Sequence, residues 1–392
     1  MKFLNLGKKL VQSIISICIS ATILILLLPQ LALSQDTSNW VDGHPPPSQY
    51  HTAKVLEVTD SLSQPDYLDE FDYQPIIKEI KLLLLSGNYK SQEVKTEISF
   101  TTEQDNLQIG DIVVVEEIYR VDGTILYLIG DDYRINALWI AFGIFVLLLL
   151  IFSGLKGIMS LAGLIFSILI LVCFTIPQIV AGQNPLLISV ISAFIIAFIS
   201  IYLSHGFKQR TTIAVISTCI TITIAIGLAY VFTSITKLTG MGSEEAFQLS
   251  IWGPLSSIDF RGLLLGGIII GALGVLDDVT TTQSAAIDEI SKANKSLSYQ
   301  ELYKRGASIG REHITSLVNT LALAYVGASL PLLLIFIANP RPIWAIINSQ
   351  MISEEIIRTL VGSIALILAV PITTTLAAYW FSKKSVRRSQ KT

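Results

Sequence analysis

The chain has 392 residues, of which 52% are hydrophobic and 15% charged, where soluble proteins average about 45–50% and about 25%. That deficit of charge, with apolar residues gathered in long uninterrupted runs, excludes a single soluble globular protein and makes the bilayer the solvent to consider. Net charge is −3, but residues 35–136 hold 19 Asp/Glu against 7 Lys/Arg, and an acidic surface of this kind argues against nucleic acid, which selects clustered Lys and Arg.

The first run, Ile14 to Pro29, follows Lys2, Lys8 and Lys9 and precedes Ala32-Leu33-Ser34, small residues at the spacing read by signal peptidase. Residues 1–34 are therefore expected to be a signal peptide or an N-terminal membrane anchor, and either form delivers the adjoining segment across the membrane. Residues 35–136 are then an acidic extracytoplasmic domain. Trp40 to His51, with Pro45-Pro46-Pro47, reads as a linker. Five β-type stretches come next, at Ala53–Val58, Ile76–Leu85, Val94–Phe100, Ile112–Tyr119 and Thr124–Ile129. Turns at Ser86-Gly87-Asn88, Ile109-Gly110-Asp111 and Asp122-Gly123 punctuate them. Together they predict a small antiparallel β-barrel, OB-like in type, a fold that names no ligand by itself. No convergent polar constellation is visible in it, so docking or gating is expected over ligand binding, with an envelope protein as the candidate partner.

Seven further runs lie near Leu138–Phe152, Ile158–Val180, Leu186–Leu203, Thr211–Ile235, Leu263–Ser284, Ile314–Ile337 and Ile356–Phe381. Each approaches the ~20 residues that cross ~30 Å of hydrocarbon. Alternating sides from an inside N-terminus puts 16 Lys/Arg in cytoplasmic segments and leaves 4, Lys237, Arg261, Arg341 and Arg358, in short outer loops, which is the positive-inside bias. The expected fold class is an α-helical polytopic membrane protein with seven core transmembrane helices over residues 137–382, the outer β domain and a basic cytoplasmic tail at 383–392. The plasma membrane and its lipid bilayer are its expected setting, and a homo-oligomer is left open.

Cys18, Cys173 and Cys219 all lie in apolar runs and cannot build a disulfide framework or metal cluster. Nothing resembles a nucleophile elbow, phosphate loop or zinc motif, so no catalytic residue, cofactor or metal site is expected, and no enzyme.

The stretch Leu263 to Ile290 reads LLLGGIIIGALGVLDDVTTTQSAAIDEI. Gly267, Gly271, Gly274 and Asp278 share one helix face, and such a glycine stripe predicts close approach of another helix, with Asp278 at the end of the packed seam. Asp277 falls on a neighbouring face with Thr281, Ser284 and Asp288. From Leu263 to Asp277 a helix rises about 21 Å, so both aspartates would lie in the cytoplasmic half of the hydrocarbon, where an ionisable side chain is costly and marks a functional site. Two adjacent carboxylates in a low-dielectric seam do not both ionise readily, so one can bind and release a proton. The alternative is a helix that ends at Leu276, leaving both in the headgroup region with Thr280 to Thr282 as a frayed end. On the next run Arg311-Glu312-His313 marks the interface, and Asn319, with Thr315, Ser316 and Thr320, falls near the depth of Asp278. These groups form a candidate relay or ion site, or structural glue between helices. Weaker candidates are His205 and His313 at inner interfaces. The hydroxyls of Thr211, Thr212, Ser217, Thr218, Thr221 and Thr223 read either as a pore wall or as bonded to their own backbone. Asp288 to Arg305 reads as an amphipathic connector on the membrane surface.

GLLLGGIIIGALGVLDD at Gly262–Asp278 and ELYKRGASIGREHITSLVNTLALAYVGASLPLLL at Glu301–Leu334, with Asn-Thr-Leu-x-Leu-Ala-Tyr at Asn319–Tyr325, resemble the core pattern of the YibE/F-like membrane proteins. The resemblance covers the whole chain in layout and implies an outer domain and then seven spans. That family pattern carries one acidic residue after the glycine helix, so the doubled Asp277-Asp278 leaves open which is the family position. The same helix pair is distantly similar to one in SecD/SecF and the resistance-nodulation-division transporters, which implies aspartates that relay protons to an outer domain. A proton- or cation-coupled transporter of unknown substrate is the expected function. The other expectation is an accessory protein for export or envelope assembly that acts through residues 35–136.

Overall fold

A computed structural model describes residues 48–61, 76–87, 89–100, 107–120, 123–251, 253–338 and 341–389. The expected N-terminal apolar segment, its cleavage-like site, Cys18, most of the proline linker, Asn88 and Asp122 lie outside the described residues. The chain divides into two compact units at Leu148/Leu149, one holding a β-sheet and the other a helical bundle.

The sheet has five strands, β1 (Gln49–Ser61), β2 (Ile76–Leu84), β3 (Glu93–Phe100), β4 (Ile112–Tyr119) and β5 (Ile125–Asp132), each overlapping its expected stretch. All neighbours are antiparallel, in the order β3-β2-β1-β4-β5. β1 serves two partners: Gln49 to Lys54 pair with β4 and Ala53 to Ser61 with β2, across an irregularity between Val55 and Glu57. Such a bulge bends a strand and tightens its twist. The outermost strands come together where the Thr96 hydroxyl donates to the Tyr127 carbonyl. Alternation decides what fills the curl: Ala53 and Val55, Ile80, Leu82 and Leu84, and Val113 and Val115 point inward and form one core.

The helical unit and its lead-in contain α1 (Ile135–Ile170), α2 (Ile176–Val180), α3 (Pro185–His205), α4 (Gln209–Ile235), α5 (Glu244–Ile251), α6 (Phe260–Ala293), α7 (Tyr299–Ala328), α8 (Leu330–Ala338), α9 (Ile343–Ile347) and α10 (Gln350–Ser389). Instead of seven separate runs, the described residues contain five helices long and apolar enough to cross a bilayer: Ile135–Val180, α3, α4, α6 and Gln350–Lys383. The difference arises at two places. The first two expected runs are joined, with no polar loop between them, and only Gly154 departs from helical geometry, at φ 57 and ψ −144, a backbone that glycine adopts at little cost. The sixth run is cut at Ser329 into α7 and α8. Pro331 explains the cut, since its ring would meet the carbonyl four residues back and it has no N–H to give.

α6 is the centre of the bundle. Its Ile268, Ile269, Leu273, Leu276 and Val279 pack against Ala193, Ala197 and Ile201 of α3, Ala214, Ile222 and Ala225 of α4, and Val361, Ala365 and Leu366 of α10. Alanines on the three surrounding helices let their backbones come close, which supplies much of the association energy where lipid removes the hydrophobic drive. The expected surface connector at 288–305 is instead the end of α6, a short turn and the start of α7. Ser298 and Glu301 build a reciprocal cap there, with Ser298 N–H donating to Glu301 Oε2 at 2.8 Å.

Candidate functional site

Depth comes first, because it decides what Asp277 and Asp278 can do. α6 runs unbroken from Phe260 to Ala293, so it does not end at Leu276. Two contacts fix its register against the antiparallel α4: Arg261 Nη2 donates to Ser234 Oγ at 2.5 Å, and Ser284 Oγ donates to the Arg210 carbonyl at 2.8 Å. Between Arg261 and Ser284 the helix rises about 35 Å, slightly more than the ~30 Å hydrocarbon core. Asp277 then lies about 10 Å inside the level of Arg210. The helix end at Leu276, on which the headgroup reading rested, is not there.

The two aspartates part company on the faces of α6. Asp277 is half-buried and Asp278 exposed. Asp277 Oδ2 faces the Ser200 hydroxyl of α3 at 3.4 Å. Its backbone carbonyl accepts the Thr281 hydroxyl at 2.8 Å and the Thr280 hydroxyl at 3.4 Å, and Thr280 Oγ1 lies 2.7 Å from Thr218 Oγ1 of α4. Ser284, on the same face, is fully buried. Thus Asp277, Thr281 and Ser284 lie on the packed side of α6.

The glycine expectation needs correction. A Cβ at Gly267 or Gly274 would meet nothing within 4 Å, and one at Gly271 only the Tyr325 hydroxyl at 3.3 Å. The close approach is made one residue earlier, where a Cβ at Gly266 would fall 2.2 Å from Ser189 Oγ, and where Gly262 faces the Leu186 backbone. α3 and α6 therefore run in parallel: Gly266 meets Ser189, and eleven residues further along each helix Asp277 meets Ser200. Asp278, on the face of Gly267 and Gly274, is not at the end of a packed seam.

Asn319 is exposed, as are Thr315, Ser316 and Thr320. α7 returns antiparallel to α6, with Gly306 against Ile287, Gly310 against Gln283 and Tyr325 against Gly271. That register sets Asp278 level with Ser316 and Asn319 about one helical turn away. Among the described residues no hydrogen bond joins Asp278 to Asn319. Thr315 and Thr320 hydroxyls are turned onto their own helix, to the carbonyls of Arg311 and Ser316 at 3.0 Å each. The hydroxyl-rich α4 behaves alike: Ser217, Thr218, Thr221 and Thr223 donate to carbonyls four residues back at 2.8–3.0 Å.

Three buried polar groups escaped the sequence reading. Gln283, 1% exposed, donates through Nε2 to the Gly306 carbonyl of α7 and to Thr374 Oγ1 of α10, both at 2.8 Å, and so ties three helices together. Its only sequence signal was a polar residue amid the Thr-Thr-Thr-Gln-Ser run. Glu354 of α10 is buried and accepts from Gly242 N–H at 3.1 Å and Gln350 Nε2 at 3.0 Å. In the sheet unit, His51 Nε2 lies 2.7 Å from Glu117 Oε2, with side chains 6% and 1% exposed. Its signal was an inward-facing acid in the otherwise apolar alternation of β4.

Residues 141–383 match the family model described as YibE/F-like protein. No curated protein and no solved structure matches the chain.

Proposed function

The chain belongs to the YibE/F-like family, and from that premise and the geometry of α6 we propose that it is a multi-pass membrane permease whose transport is coupled to a proton or cation at Asp277. The observation that carries the reading is a carboxylate about 10 Å inside the inner boundary, held against a hydroxyl and not a base. A charge kept at such a cost is retained for function.

The finer architecture belongs to the same proposal. The 46-residue stretch Ile135–Val180 is about 69 Å of helix, twice a hydrocarbon core, so its break at Gly154 divides two crossings. With α3, α4, α6, the α7–α8 pair and α10, this makes seven. Lys156, Lys208, Arg210 and the basic end of α10 then fall on the cytoplasmic side of the plasma membrane. The sheet is read as an OB-like barrel, because the circuit β3-β2-β1-β4-β5 with β5 touching β3, and a bulged β1 shared by two partners, is the layout of that five-stranded Greek-key barrel.

The test is charge movement by the purified chain on a solid-supported membrane after a pH or cation jump. A transient current in the native chain that is lost in Asp277→Asn is expected. A current that survives the combined Asp277→Asn and Asp278→Asn replacement sinks the permease reading. If the aspartates prove dispensable while deletion of residues 48–132 abolishes cellular function, the accessory role of the outer domain replaces it.

A further inference from the structure

The ion at Asp277 can be narrowed from its surroundings, and the narrowing rests on the ion-coupled permease reading. Hard metal cations such as Ca²⁺ take about six to eight oxygen ligands at close range, and Mg²⁺ a near-octahedral set. Around Asp277 the neighbouring hydroxyls are hydrogen-bonded to backbone carbonyls or to one another and not to the carboxylate. Thr281 Oγ1 is turned back onto the Asp277 and Asp278 carbonyls, at 2.8 and 3.2 Å, and Thr280 Oγ1 is paired with Thr218. The Asp277 carbonyl, the nearest backbone oxygen, already accepts the Thr281 hydroxyl. Asp278, the neighbouring acid, sits on the exposed face. Among the described residues the hydrogen-bond partner left to the carboxylate is Ser200 Oγ at 3.4 Å.

That partner suits a proton. A hydroxyl both donates and accepts, so Ser200 can donate to the ionised carboxylate and accept from the protonated one without moving. α1 also comes close to Ser200, since a Cβ added at Gly163 would lie 3.1 Å from its Oγ, so the pair sits where α1, α3 and α6 approach one another.

No charge on the packed helices competes with this exchange. Between Lys156 and the end of α2, along α3 before His205, along α4 between Arg210 and Lys237, and along α10 between Arg358 and Lys383, there is no Asp, Glu, Lys, Arg or His. The acids and bases nearest along these elements are Asp278 beside the site, then Lys156, His205, Lys208 and Arg210, with Asp288 against Arg210, and Glu312 and His313 further along α7. Arg261, Glu354, Glu355 and Arg358 belong to the outer end.

We propose that Asp277, with Ser200 as its switching partner, is a single-proton site that excludes metal cations, and that Asp278 is not part of it.

Infrared difference spectra of the full chain in nanodiscs, titrated with acid at fixed and at varied sodium, test this. They read protonation without requiring flux, so a chain that carries no measurable transport still returns an answer. A protonated-carboxyl band should appear on acidification, vanish in Asp277→Asn, persist in Asp278→Asn and shift in frequency in Ser200→Ala. Tenfold more sodium should leave its midpoint unmoved, whereas one-for-one competition would lower it by about one pH unit. A sodium-dependent midpoint, a band that survives Asp277→Asn, or a Ser200→Ala spectrum identical to the native one overturns the proposal. The Ser200→Ala outcome stands even if Asp277→Asn fails to fold.

Discussion

Glu117 in the sheet and Asp277 in the bundle are both enclosed carboxylates, and they are held in opposite ways. Glu117 is almost wholly buried and lies 2.7 Å from an imidazole, which itself packs on Gly87, where a Cβ would have no room. Asp277 is half-buried and has a hydroxyl at 3.4 Å. The sheet thus holds its buried acid against an imidazole at hydrogen-bond distance, an arrangement that fixes both partners. Among the described residues no ion pair joins Asp277, and its side-chain partner is a hydroxyl. Under the proposed function the first acid stays as it is and the second changes.

The largest expected effect tests the paired half of that contrast. His51→Ala should strand the Glu117 carboxylate and cost about 3–5 kcal/mol, as breaking buried pairs does. Hydrogen exchange of the β1 and β4 amides reads the loss, and a change below about 1 kcal/mol would mean the imidazole is not what sustains Glu117. Ser200→Ala should be milder, about 0.5–1.5 kcal/mol by thermal unfolding in detergent, the usual worth of one hydrogen bond. If it cost as much as His51→Ala, Asp277 would depend on its partner as Glu117 does and the contrast would collapse. The smallest effect concerns Tyr127, whose hydroxyl is pushed up to about 12 by burial and then by the negative Glu117. Its folded value lies above the ordinary 10.0, so the stability it contributes is complete below about pH 10 and lost as pH rises through about 12. Phenolate absorbance should show two late-ionising tyrosines, Tyr127 and Tyr119, which Glu117 also pushes up to about 12; Tyr127→Phe should remove one of the two, and a late titration of unchanged amplitude in that variant would mean that Tyr127 is not one of them.

The strands were legible because alternation has a period of two and the turns carry Gly and Asn or Asp; Ala53, Val55, Val113 and Val115 all point where their spacing says. The long runs at 186–203, 211–235 and 263–284 were legible because a bilayer demands unbroken apolar length. The two places where seven expected runs meet five long helices are backbone events, a single Gly154 between joined runs and a proline two residues past Ser329. Gln283 and the His51–Glu117 pair were illegible for another reason, since a polar residue's burial depends on partners 23 to 91 residues away.

Sequence by itself determined that α6 is a membrane-embedded helix bearing glycines and two acids, since composition and length are properties of the segment alone. It also contained two superimposed patterns one residue apart, Gly266 with Asp277 and Gly267 with Asp278, each separated by eleven residues. Nothing local distinguishes them, because a helix rotated by one residue presents equally good spacing. Only the packing of α3, which brings Ser189 against Gly266 and Ser200 against Asp277, decided which acid is enclosed and which is left outside.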